Sequence, residues 1–141
     1  MRVVLLAVIA AASLAAQAPP SGGASGLDFE FFKTRVQPVL LARRPGHARC
    51  YACHSTTTPY RLQRLSPGAT SWNDEQSRKN FQASVNMVNL SEVDASPLLI
   101  YPLAESAGGN HFHPGGKHWE SKNEPEWQVM SEWAHGKKAN P

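Results

Sequence analysis

Apolar residues recur every three or four positions in four stretches of this chain, whereas the alternation typical of strands is weak. The first stretch runs from Leu27 to about Arg43, with Asp28 as the expected N-cap. Pro38 lies inside it, so we expect the helix to be kinked or interrupted there. The face that this helix would bury consists of Phe29, Phe32, Val36, Val39 and Leu40.

Two further helices are expected in the middle of the chain. Between Asn73 and Val88, a polar stretch carries Phe81, Val85 and Val88 at helical spacing. A shorter helix is expected over residues 96–101, because Ser96 can cap it and Pro97 suits a first helical position. Pro102 would end it.

The last predicted helix has the clearest signals at its ends. Asn123 is the expected N-cap, Pro125 and Glu126 suit the first turn, and Gly136 is the expected stop. Its inward stripe would consist of Trp127, Met130, Trp133 and Ala134. Together the patterns predict an all-α domain of three to five helices joined by long loops.

The N-terminal region has the layout of a secretory signal peptide. A basic start at Arg2 precedes an apolar run over residues 3–16, and small residues follow. We assign residues 1–18 to the signal peptide, with cleavage after Ala15 or Ala18. The alternative, an uncleaved membrane anchor, would need about 20 apolar residues to span a bilayer. Residues 19–26 form a Pro/Gly/Ser-rich leader, 27–138 the single domain and 139–141 a tail.

Charge adds little to the choice of partners. The chain carries 14 Lys and Arg against 11 Asp and Glu, a formal net charge of +3. Its basic pairs, such as Arg43-Arg44 and Lys137-Lys138, are too short to indicate a nucleic-acid surface. We therefore expect no nucleic-acid partner.

The chemistry-bearing motif is Cys50-Tyr51-Ala52-Cys53-His54, which contains both cysteines of the chain. This C-x-x-C-H spacing attaches a c-type haem: two thiols bond the porphyrin vinyl groups and the adjacent imidazole binds the iron. An all-thiolate zinc site is excluded because it needs four cysteines. A disulfide or a thioredoxin-like pair is the alternative, although the latter would be expected beside a βαβ pattern that the chain lacks.

The order of segments resembles class I c-type cytochromes, and more closely the planctomycete-type cytochrome C and cytochrome C-like domains. The resemblance covers residues 29–136: the Phe31–Leu40 segment, the C-x-x-C-H motif, Ser96-Pro97-Leu98-Leu99, a Gly-rich loop and a Trp-bearing terminal helix. It implies a class I cytochrome c-like domain around one covalent haem, and an electron-transfer protein rather than an enzyme.

In such domains the second iron ligand usually comes from the loop before the terminal helix, commonly a Met. Residues 108–119 contain no Met but three histidines, His111, His113 and His118. We prefer His113, which lies near the place of the family's Met, precedes Pro114 and is surrounded by glycines that permit close approach. His111, His118, Met130 and an open or water-bound site stay as alternatives.

The sequence thus predicts a mono-haem cytochrome that carries single electrons in the periplasm or outside the cell, with His54 and His113 on the iron. Its partners would be redox proteins, with a membrane respiratory or photosynthetic complex as one candidate, and we expect no small-molecule substrate. The alternatives are a haem-bearing subunit of a membrane-associated complex, or a haem ligand sensor or enzyme. Two further sets are expected around the haem: propionate partners (Arg43, Arg44, Arg49, Lys117) and aromatic walls (Trp72, Tyr101, Trp119).

Overall fold

The computed structural model describes residues 26–56 and 58–140, so the predicted signal peptide and nearly all of the leader lie outside the described residues. This part of the chain is helical and contains no strand, only isolated bridges such as that between Leu103 and Trp119. The prediction of an all-α fold is confirmed. No helix within these residues is long and apolar enough to cross a bilayer.

Five helices are found within the described residues. Helix α1 spans residues 29–41 in three consecutive parts: α-helical Phe29–Phe31, π-helical Phe32–Val36 and α-helical Gln37–Leu41. The others are α2 (Cys50–His54), α3 (Asp74–Val85), α4 (Pro97–Ile100) and α5 (Pro125–Ala134). Short 3-10 turns lie at Val93–Ala95 and Glu105–Ala107.

Helix α1 begins after its predicted N-cap, Asp28, and continues beyond Pro38. The Asp28 carboxylate accepts a hydrogen bond of 2.7 Å from the Phe31 N–H, as an N-cap does. Pro38 cannot donate to the Thr34 carbonyl, and its ring crowds that carbonyl. The predicted interruption takes the form of the π-helical turn just before Pro38, after which the helix continues to Leu41.

Helix α3 begins at Asp74, next to the expected start, and Asn73 is its N-cap. The Asn73 side chain accepts from the Gln76 N–H at 2.9 Å, while the Gln76 side chain accepts from the Asn73 N–H at 3.1 Å. The helix ends at Val85, earlier than expected, and Val88 follows it as a half-buried residue packed against the core.

The caps of α4 and α5 differ from the prediction. Ser96 lies at the N-cap position of α4, but its hydroxyl accepts from the Asn89 N–H instead of capping the helix. The N-cap of α5 is Glu124, so the assignment of Asn123 was wrong. The Glu124 carboxylate accepts from the N–H groups of Glu120 and Ser121, at 2.5 and 3.2 Å, and this local turn delays the start of the helix by one residue.

An aromatic cluster joins α1, α3 and α5. The Phe32 ring lies 5.6 Å from Phe81 and 5.2 Å from Trp133, and the Phe81 and Trp133 rings are 5.9 Å apart. The Trp133 indole N–H also donates to the Asp28 carbonyl at 2.9 Å. The whole predicted stripe of α5 (Trp127, Met130, Trp133 and Ala134) is buried. These contacts fix α1 and α5, which contribute Leu40 and Met130 to the cavity described below, against α3.

The loop that carries the three candidate histidines is fastened at both ends. The Asn110 N–H donates to the Ile100 carbonyl at 2.8 Å, and the His118 N–H donates to the Pro102 carbonyl at 2.7 Å. Gly109 lies so close to the preceding turn that an added Cβ would overlap the Leu103 carbonyl, whose carbon would be 2.5 Å away. Glycine is therefore required where the loop leaves the Glu105–Ala107 turn.

We expect Gly109→Ala to displace this loop and to lower the free energy of unfolding by about 1–3 kcal/mol, the usual cost of overpacking. Urea denaturation measures the change. Ser106→Ala is the control, since Ser106 is exposed in the same region and surface changes of this kind stay within about 0.5 kcal/mol. Equal stability of the two variants would contradict the role assigned to Gly109.

Candidate functional site

Helix α2 presents the C-x-x-C-H motif as a single turn. Cys50 and Cys53 are three residues apart on the helix, so their side chains lie on one face. Neither is in a disulfide, and both border a cavity together with His54. Burial raises the pKa of the Cys50 thiol, an effect that the nearby Arg44 guanidinium opposes.

The cavity has a volume of about 780 Å³, within the ~300–1,000 Å³ typical of cofactor sites. Helix α2 and the loop over residues 110–119 both contribute to its lining, and none of the described residues that line it is acidic. Its wall is otherwise mainly apolar, with contributions from Leu40, Tyr60, Met87, Leu98, Trp119 and Met130. An apolar cavity of this size beside two thiols suits a large, flat, apolar cofactor.

The His54 ring is oriented by the residues that follow it in the chain. Its Nδ1 lies 2.8 Å from the Tyr60 carbonyl oxygen and 3.0 Å from the Thr58 hydroxyl. A carbonyl can only accept a hydrogen bond, so Nδ1 carries the proton and the Nε2 lone pair is left for a metal. Burial lowers the pKa of His54, which keeps the imidazole in its neutral, metal-binding form.

His113 is held in the same way by its own loop. Its Nδ1 lies 2.6 Å from the Gly116 carbonyl oxygen, so its Nε2 lone pair is also left without the proton. The centres of the His54 and His113 rings are 6.3 Å apart, and the ring planes differ by 17°. Two imidazoles that bind one metal atom from opposite sides, with bonds of about 2.0 Å, have ring centres about 6 Å apart.

The other predicted ligands also border the cavity but are placed differently. His111 is exposed, and Met130 is buried within the α5 stripe. His118 is 7 % exposed, and its Nδ1 has no hydrogen-bond partner among residues 26–56 and 58–140. Burial, followed by the charge of Arg44, lowers the pKa of His118 to about 4, so its ring is neutral at neutral pH. The structure therefore brings His54 and His113 together in a matched pair, with His118 beside them at 6.0 Å from the His113 ring.

Of the residues expected as propionate partners and aromatic walls, some line the cavity and others do not. Arg49, Tyr101 and Trp119 line the cavity. Arg44 does not: it forms an ion pair with Glu126 and lies over the Trp119 ring, because the terminal helix brings that carboxylate to it. Three other expected residues are also absent from the lining formed by the described residues, namely Arg43, Trp72 and Lys117. Trp72 donates instead to the Gln63 carbonyl, and Lys117 to the Tyr101 and Asn110 carbonyls.

The sequence did not indicate the groups that orient the two imidazoles. Tyr60 and Gly116 act through backbone carbonyls, which every residue possesses, so no side-chain pattern marks them. Thr58 could have been suspected, since a hydroxyl four residues after the motif can reach the His54 ring.

The described residues contain no group of three or more His, Cys, Asp or Glu side chains placed to hold a metal ion. A porphyrin supplies four nitrogens to its iron, so a haem requires at most two protein ligands. The residues bordering the cavity, two free thiols and two oriented imidazoles, fit that requirement.

Comparison with known proteins finds no matching family model, no matching curated protein and no matching solved structure.

Proposed function

We propose that this protein is a mono-haem c-type cytochrome of the class I type that carries single electrons outside the cytoplasm. The observation that carries the proposal is the pairing of His54 and His113 across the cavity that Cys50 and Cys53 border, with ring centres 6.3 Å apart. Both imidazoles donate their Nδ1–H to a backbone carbonyl, as is usual for histidines that bind a metal.

Each residue then has a defined task. Cys50 and Cys53 would hold the porphyrin through thioether bonds, and His54 and His113 would bind the iron. The haem would supply an iron that takes up and releases one electron. The mainly apolar wall would offer few hydrogen-bond partners to water beside the haem, and two imidazole ligands would favour a lower potential than a thioether ligand would.

The surroundings of the cavity are consistent with transfer to another protein. Tyr101 and Phe112 both line the cavity, and they are 41 % and 66 % exposed, so the path from the cavity to the surface is short. The partners we propose are redox proteins, among them a membrane respiratory or photosynthetic complex.

Covalent attachment is the direct test. Expressed in a host with a haem-maturation system, the wild-type chain should gain the mass of one haem, because both thiols and the fixed imidazole border one cavity. Cys50→Ser and Cys53→Ser should each reduce or abolish the attached fraction, as measured by mass spectrometry and by the absorption spectrum. An unmodified wild-type chain, or one with a Cys50–Cys53 disulfide, would contradict the proposal.

The second ligand is tested by comparing His113→Ala with Met130→Leu. The wild type should be low-spin in both oxidation states, lack the near-infrared sulfur-to-iron band and resist carbon monoxide. His113→Ala should open the site and bind carbon monoxide, whereas Met130→Leu should alter only packing.

His111→Ala is the matched control on the same loop, since His111 is exposed and should leave the spectrum unchanged. A sulfur-to-iron band in the wild type that disappears in Met130→Leu would assign the ligand to Met130. A wild type that binds carbon monoxide freely would favour the sensor or enzyme alternative.

Export is tested at the N-terminus. The mature chain should begin after Ala15 or Ala18 and be recovered from the periplasmic fraction or the medium, which N-terminal sequencing of the purified holoprotein measures. Intact Met1 in a membrane fraction would instead favour an anchored subunit of a larger complex.

A further inference from the structure

Residues 55–73 join the attachment helix α2 to helix α3, and residues 60–65 form the part of this linker that contacts both helices. In the 60–65 segment, the Leu62 N–H donates to the His54 carbonyl at 2.7 Å and the Leu65 N–H donates to the Tyr51 hydroxyl at 3.0 Å. On its other side, the Gln63 N–H donates to the Asn80 side chain of α3 at 2.7 Å. The 60–65 segment is therefore bonded to both helices.

Tyr60, at the start of this segment, extends a buried hydrogen-bond chain into α3. The Tyr60 hydroxyl lies 2.7 Å from the Ser84 hydroxyl, which in turn donates to the Asn80 carbonyl at 2.8 Å. Since the Ser84 hydrogen is used in that bond, Ser84 accepts from Tyr60.

The backbone of the same residue holds His54. The Tyr60 carbonyl oxygen accepts from the His54 Nδ1–H at 2.8 Å, and the Thr58 hydroxyl donates to the same oxygen at 2.5 Å. The Tyr60 ring also contacts the His54 ring, with centres 4.7 Å apart. One buried residue thus connects helix α3 to the metal-binding imidazole.

We infer that Tyr60 and Ser84 are positioning residues for His54: the Tyr60–Ser84 hydrogen bond fixes the carbonyl that accepts the Nδ1 proton and thereby tunes the iron. This inference rests on the proposed function. A strong hydrogen bond at Nδ1 raises the basicity of the imidazole toward its metal. A more basic ligand stabilises oxidised iron, so the intact chain holds the reduction potential down.

Helix α3 offers a matched control for this role. Ser77 and Ser84 are both fully buried serines of the same helix. The Ser77 hydroxyl donates to the Gln37 side chain of α1 at 3.3 Å, away from the 60–65 segment. Ser77→Ala and Ser84→Ala therefore remove similar buried hydroxyl groups, but only Ser84→Ala breaks the chain that leads to His54.

The experiment compares the purified holoproteins of the wild type, Tyr60→Phe, Ser84→Ala and Ser77→Ala. Tyr60→Phe and Ser84→Ala should raise the midpoint potential and speed the solvent exchange of the His54 Nδ1–H, followed by NMR. Ser77→Ala should lower stability but leave both quantities at their wild-type values. The double variant Tyr60→Phe/Ser84→Ala should match the single variants, because each breaks the same chain.

Tyr60→Phe keeps the ring in place, so it tests the inference even if Ser84→Ala fails to fold. Unchanged potential and exchange in Tyr60→Phe would overturn the inference, as would equal shifts in Ser77→Ala and Ser84→Ala. If the variants give those results while the wild type carries covalent haem, this inference fails and the proposed function stands. A wild type without haem would overturn the proposed function and this inference with it.

Discussion

The site depends on one type of interaction, a hydrogen bond from an imidazole Nδ1–H to a backbone carbonyl. Such an oxygen has only lone pairs to offer, so it fixes the proton on Nδ1 and leaves Nε2 free. The bond occurs twice, from His54 to Tyr60 and from His113 to Gly116. Both carbonyls belong to segments without regular secondary structure, so their positions depend on how those segments are fastened.

The segment that carries the Tyr60 carbonyl is held by helix α3, which the core in turn holds in place. The cluster of Phe32, Phe81 and Trp133 holds α1, α3 and α5 together, and each aromatic pair adds about 0.5–1.5 kcal/mol beyond the burial of its area. Helix α3 can then offer Ser84 and the Asn80 side chain to the 60–65 segment at fixed positions. Aromatic packing in the core thus supports the hydrogen bonds that place the Tyr60 carbonyl beside His54.

Much of the helical framework could be predicted from the sequence because its signals are local. Asp28 caps the helix expected of it, α3 begins within one residue of its expected start at Asn73, and the α5 stripe is buried as its spacing indicates. The errors arise where a side chain has other partners. Glu124 rather than Asn123 occupies the N-cap position of α5, with its carboxylate bound to the Glu120 and Ser121 N–H groups. The Ser96 hydroxyl accepts from the Asn89 N–H instead of capping α4. At the candidate site, spacing identified the C-x-x-C-H residues and loop position favoured His113. The Tyr60–Ser84 bond joins residues 24 positions apart and has no local pattern.

The two imidazoles are held with unequal rigidity. His54 lies at the end of a helix, and its orienting carbonyl is tied through Tyr60 to a second helix. His113 lies in a loop and is oriented by Gly116, three residues further along the same loop. Local opening of that loop would release His113 without disturbing the core, whereas release of His54 would require the 60–65 segment to separate from α3. The sequence left His113, His118 and Met130 as competing second ligands for the same reason. The motif fixes the position of His54, whereas the fold of a loop decides which of the other side chains lies opposite it.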